Sequence, residues 1–171
     1  MSHMLDEIRE QPDVVRRILD GASENIGALA EEIKRRDIRF AYIAARGTSD
    51  NAAIYGKYLL EIQHGIPVAL AAPSVFTIYG AVPRLDSHAL VLGISQSGAA
   101  TDVLEVVRRG REAGALTTCI VNERDSPLAA AAEFPLHIGA GEEVGIAATK
   151  TYIGSLALLG LLSTALDDTR P

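Results

Sequence analysis

The sequence predicts a three-layer α/β/α sandwich built on a mostly parallel sheet. Two observations carry this. Five short apolar runs with few charges alternate with segments of helical period, the pattern of βαβ units whose strands are buried on both faces. Turns rich in glycine and hydroxyl residues stand where the first and third runs pass into helices. Right-handed crossovers then cover both faces of the sheet with helices. A chain of 171 residues, 48% hydrophobic, makes one well-packed domain and leaves no room for a second of ordinary size.

Residues 13–36 carry Val15, Ile18, Leu19, Ala22, Ile26, Leu29 and Ile33 at three- and four-residue steps. This stripe predicts one long helix, with Pro12 at its start. FAYIAA (40–45) reads as the first strand. Thr48 or Ser49 is expected to cap the next helix, which stops near Gly65. IPVALAA (66–72) is the second strand, PSVFTIYG a short helix or turn, and HALVLGI (88–94) the third strand. A helix follows with Val103, Val106 and Val107 inward. ALTTCIVN (115–122) is the fourth strand, SPLAAAA a short helix entered through Ser126 and Pro127, and EFPLHIG the fifth strand. The last helix spans roughly 147–165. Its apolar run, 153–166, is shorter than the roughly 20 residues of a membrane span, so it reads as a buried or oligomer-facing helix.

Composition narrows the partners. A net charge of −6 and a pI near 5.2 supply no basic stripe for nucleic acid. The start lacks a basic region followed by an apolar core, so no secretory leader is expected. Residues 1–4, MSHM, read as a cloning scar ahead of a domain over 5–171, and the chain as cytoplasmic. The single Cys119 excludes an internal disulfide and a CxxC knuckle, and reads as buried. His3, His64, His88 and His137 show no ligand spacing, so no metal and no cofactor are expected.

The chemistry gathers at two junctions, AARGTSDNAA and GISQSGAATD. Each follows an apolar strand and opens a helix. The first turn of a helix leaves N–H groups without internal acceptors, its partial charge favours an anion, and glycine allows close approach. A phosphate suits that chemistry. Ser95 and Ser97 offer hydroxyls; Gln96, Ser97 and Gly98 offer N–H groups; Thr48 and Ser49 offer a second set. Simple helix capping is the competing reading at each junction. If the first and third strands are neighbours, the two loops flank a crevice at a switch point. Neither junction is a GxGxxG fingerprint or a Walker A loop, which favours a compact phosphorylated metabolite over a nucleotide. SQSG also differs from the GxSxG elbow. Arg46 lies close enough in sequence to help an anion. Tyr55 and Tyr58 read as core or rim residues. At a third junction, residues 139–150, Glu143 is a weak candidate base and Lys150 its candidate partner.

EIREQP (7–12), GTSDNAAIYGKYLLE (47–61), SQSGAATDVLE (95–105) and EEVGIAATKTY (142–152), in this order, resemble the SIS (sugar isomerase) domain family. The similarity is to the first lobe of the isomerase part of aminosugar-phosphate aminotransferases, and to two-lobed deaminases. The resemblance implies a five-stranded parallel sheet and a phosphosugar cleft, with Ser49, Ser95, Gln96 and Ser97 at the phosphate. Ala100 stands where the family often has threonine, and Ala148 where the aminotransferases have serine, so two hydroxyls are missing while the backbone donors remain. The resemblance further implies one lobe of a two-lobed protein, the main acid–base residues lying in the other lobe. It implies a partner such as fructose-6-phosphate or glucosamine-6-phosphate, and a homodimer or second SIS lobe. On that reading the lobe binds and turns over little by itself. A non-catalytic phosphosugar sensor, and a complete single-lobe aldose–ketose isomerase acting as an oligomer, are the alternatives.

Overall fold

A computed structural model describes residues 3–21, 23–145 and 147–167. In chain order the elements are α1 (His3–Gly21), α2 (Ser23–Arg35), β1 (Phe40–Ala44), α3 (Thr48–His64), β2 (Val68–Leu70), α4 (Ser74–Thr77), β3 (Ala89–Ser95), α5 (Thr101–Glu112), β4 (Leu116–Val121), α6 (Pro127–Ala131), β5 (Phe134–His137) and α7 (Lys150–Leu166). The five strands form one sheet, ordered β2-β1-β3-β4-β5, with every pair parallel. The fold class is the one the sequence predicts.

Strand alternation divides the core. Ala41 and Ile43 of β1, Leu90, Leu92 and Ile94 of β3, and Leu116 and Ile120 of β4 face a layer made by α1, α2, α3 and α7. Phe40, Tyr42 and Ala44, Ala89 and Val91, and Cys119 and Val121 face α4, α5 and α6. Successive side chains of a strand point to opposite faces, so charge-free runs are what a doubly covered sheet requires. α7 lies against α1, α2 and α3, with Leu158, Leu159 and Leu162 buried. That explains its apolar composition. No helix among the described residues is long and apolar enough to cross a membrane.

Five expectations are corrected. The first stretch forms two helices, divided after Gly21, the weakest helix former beside the break. Pro12 sits inside α1, not at its start. Val14 is buried where Val15 was expected to be, and Leu19 is exposed; Ala22 lies outside the described residues. The second strand shrinks to three residues at the sheet edge, where Ala69 and Leu70 face solvent. The last helix begins at Lys150, because Glu143 gathers its first N–H groups.

Candidate functional site

β1 and β3 are adjacent, with Ala44 registered beside Gly93. The chain leaves β1 through α3 toward β2 and leaves β3 through α5 toward β4, so the two crossovers depart on opposite faces. Their loops flank the crevice that forms where strand order reverses. An ion pair ties them together: Arg46 Nη1, in the β1–α3 loop, lies 2.7 Å from Asp102 Oδ2 in the first turn of α5. Arg46 is therefore engaged across the crevice. Between the loops, Thr48, Ser49 and Gln96 meet Ala148, Thr151, Tyr152 and Ser155 around one narrow cleft. Its free space is about 10 Å³, near the size of one water.

The capping reading fails at the first junction. Gly47, at φ 61° and ψ −129°, is the cap residue of α3 and no side chain caps it. That conformation is open to glycine and strained for other residues. Thr48 and Ser49 become the first two helical residues, with no hydroxyl committed to a cap. α5 likewise starts from Ala100 without a side-chain cap.

The SQSG turn is held by its own atoms. Gly98 N–H donates to Ser95 Oγ at 3.1 Å, and Ala99 N–H donates to Ser97 Oγ at 3.3 Å. Each serine keeps its hydroxyl proton for another acceptor. Gly98, at φ 62°, packs so tightly that an added Cβ would overlap Ser126. Ser126 is fixed because it caps α6, accepting from Ala129 N–H. The turn sends its members in different directions. Ser95 is buried at the end of β3, Gln96 lines the narrow cleft, and exposed Ser97 lines a wider groove of about 860 Å³ with Asn122, Arg124 and Gly141.

At the third junction the expected pairing is overturned. Glu143 Oε1 accepts N–H groups from Thr149 at 2.8 Å and Lys150 at 2.9 Å, and Thr151 hydroxyl donates to its other oxygen. The carboxylate is the anion at the start of α7. Lys150 Nζ instead reaches Glu10 Oε2 of α1 at 2.6 Å, because the helix turns its side chain to the opposite wall. Glu7, in the same EIREQP segment, accepts N–H groups from Val144 and Gly145. The Gly145 bond, against opposing burial, holds its carboxyl below the usual range. Asn122 clamps the loop from below, accepting from Ala140 N–H and donating to Gly141 O. Ile146 lies outside the described residues.

Sequence reasoning missed Glu7, Asn122, Thr151 and Ser155. The signal for the last two was present: Thr151 and Ser155, four residues apart, put polar atoms on one face of an otherwise apolar helix. The histidines stay apart. His64 pairs with Ser163 Oγ, and His88 meets the carbonyls of Arg36 and Asp37. Among the described residues no group of three His, Cys, Asp or Glu is placed to hold a metal. Cys119 is buried, which pushes its thiol up to about 12. Tyr55 and Tyr58 are surface residues on α3, outside the core.

Comparison with known proteins matches this geometry to a family. The model of the SIS domain matches residues 34–165. The chain is 37% identical over 164 residues to a glutamine–fructose-6-phosphate aminotransferase (isomerizing) of Thermus thermophilus, covering 94% of this chain and 27% of that protein. The crystal structure of a presumed phosphosugar isomerase from Silicibacter pomeroyi superposes with a TM-score of 0.93 at 37% identity, covering 98% of this chain and 52% of the other. The C-terminal domain of glucosamine-fructose-6-phosphate aminotransferase from Francisella tularensis gives 0.80 at 28% identity, over 96% and 47%.

Proposed function

The chain belongs to the SIS domain family, and on that premise we propose that it is a phosphosugar-binding lobe of an aminosugar-phosphate isomerase, aminotransferase or deaminase. The observation that carries this reading is the convergence of Thr48, Ser49 and Gln96 on one cleft at the β1/β3 switch point, with Arg46 bonded across it to Asp102. Uncapped N–H groups at the start of α3, the hydroxyls of Ser49, Ser95 and Ser97, and the N–H groups of Gln96 and Ser97 form the phosphate cradle, while Gly98 N–H braces the turn on Ser95 Oγ. The cleft is closed to about one water, so a phosphoryl group enters by drawing Gln96 and Tyr152 apart. The sugar then extends toward the groove beside Ser97.

In a complete enzyme such a clamp holds an open-chain sugar while a base moves a proton between neighbouring carbons. Within this chain the two candidate acid–base groups are otherwise engaged. Glu143 closes the start of α7, and Lys150 is buried against Glu10. This favours binding without turnover by the lobe alone, with chemistry completed by a second lobe or a second copy. The test is titration of the chain with fructose-6-phosphate and glucosamine-6-phosphate, read from backbone amide signals. Shifts at Thr48, Ser49 and Ser95–Gly98, with no product, are expected. Silence at those positions at millimolar ligand overturns the proposal.

A further inference from the structure

A second cavity, of about 350 Å³, opens at the β5 edge of the sheet. Arg17 and Gly21 of α1, Asn25 of α2, Arg124 beyond β4, and His137 and Gly139 at the end of β5 surround it. Its floor is apolar, made by Ile18, Leu136, Ile138 and Leu158, all buried. This size and make-up, an apolar base with a few convergent polar groups, are those of a small-molecule pocket.

The cavity wall is cationic, with Asp125 just outside it and near enough to act on His137. Two guanidinium groups line the cavity and no carboxylate does. Elsewhere in this acidic chain arginines pair readily: Arg36 with Glu32 and Glu133, Arg46 with Asp102, Arg109 with Glu105. Arg124 makes no ion pair or hydrogen bond among the described residues, and Arg17 makes only a long one, 3.4 Å, to Gly139 O. His137 adds a second anomaly. Its Nδ1 is buried without a hydrogen-bond partner. Such atoms are rare in folded proteins and mark a missing partner.

We propose that this cavity binds the phosphate group of a small metabolite, at a site separate from the cleft between β1 and β3. Arg17 and Arg124 grip the oxyanion from two sides, as guanidinium forks do with phosphate. His137, on turning its ring, gives its unpartnered nitrogen to the ligand, and the apolar floor takes the ligand's carbon skeleton. Arg124 also lines the groove that holds Ser97, so occupation of one site is felt at the other. The proposal does not rest on phosphosugar binding at the switch point.

The probe is inorganic phosphate added to the full chain, read by amide and histidine-ring NMR signals. Shifts at Arg17, His137 and Gly139 are expected. The double change Arg17→Gln with Arg124→Gln, at exposed positions that leave the core intact, weakens binding read from those shifts by about tenfold or more, since both charge-assisted grips are lost. Ser95→Ala leaves them in place. Shifts confined to Thr48–Ser49 and Ser95–Gly98 overturn the proposal. So does binding that the arginine changes do not weaken, or no response at millimolar phosphate.

Discussion

Replacing Glu143 separates a structural carboxylate from a catalytic base. Its Oε1 accepts the N–H groups of Thr149 at 2.8 Å and Lys150 at 2.9 Å, with a longer approach from Thr151 at 3.4 Å. Thr149, Lys150 and Thr151 are all buried. Glu143→Ala strips these donors of their acceptor and removes a negative charge from the positive end of α7. Loss of a cap costs about 1–2 kcal/mol, loss of the charge at the helix end about 0.5–1, and each donor left buried and unpaired about 1–3. Water entering the vacated space recovers part of this, which leaves a net loss of about 3 kcal/mol. For a chain of this size that lowers Tm by about 6–12 °C. Glu143→Gln keeps one acceptor oxygen and loses the charge, so it costs about 1 kcal/mol and about 2–4 °C. Urea unfolding at neutral pH, followed by circular dichroism, measures both. The reasoning is refuted if Glu143→Ala unfolds within about 0.5 kcal/mol of the parent, the range of an ordinary surface change. Such a result would free Glu143 for proton transfer.

Two other perturbations test the frame of the cleft. Gly98→Ala forces a side chain onto a φ of 62° and against Ser126, so it lowers stability by about 2–4 kcal/mol and abolishes phosphosugar-induced shifts at Ser95–Gly98; adding Ser126→Gly, which removes both overlapped atoms and with them the α6 cap, makes the combined loss smaller than the sum of the two single losses, and strict additivity in urea unfolding would show that the two do not touch. The side-chain bonds from Arg35, then Arg36, hold Glu32 at about 2 against an ordinary 4.5. A carboxyl depressed on folding stabilises fully above its unfolded value and loses that contribution as pH falls. The part of the urea midpoint that Glu32 supplies is therefore steady above about pH 5 and declines from 4.5 toward about 2. Glu32→Gln flattens this decline, and an unchanged profile in that variant removes Glu32 from the account.

Features that depend on near neighbours were legible in the chain alone. Alternating apolar runs set the five strands, Gly65 ended α3 in the left-handed conformation, and Ser126 with Pro127 opened α6. The SQSG turn was legible as a polar strand-to-helix turn, but the bonds by which Gly98 N–H and Ala99 N–H brace it on Ser95 and Ser97 were not. Tertiary structure decided the rest. It placed β1 beside β3, which turned two similar junctions into two walls of one cleft. It also gave Lys150 to Glu10, 140 residues away, and Glu143 to the helix start. Local pattern fixes periodicity and turns, since those follow from bonds a few residues long. Which side chain meets which across the molecule follows from how whole layers pack, and a partner more than a hundred residues distant leaves no periodic trace in the chain.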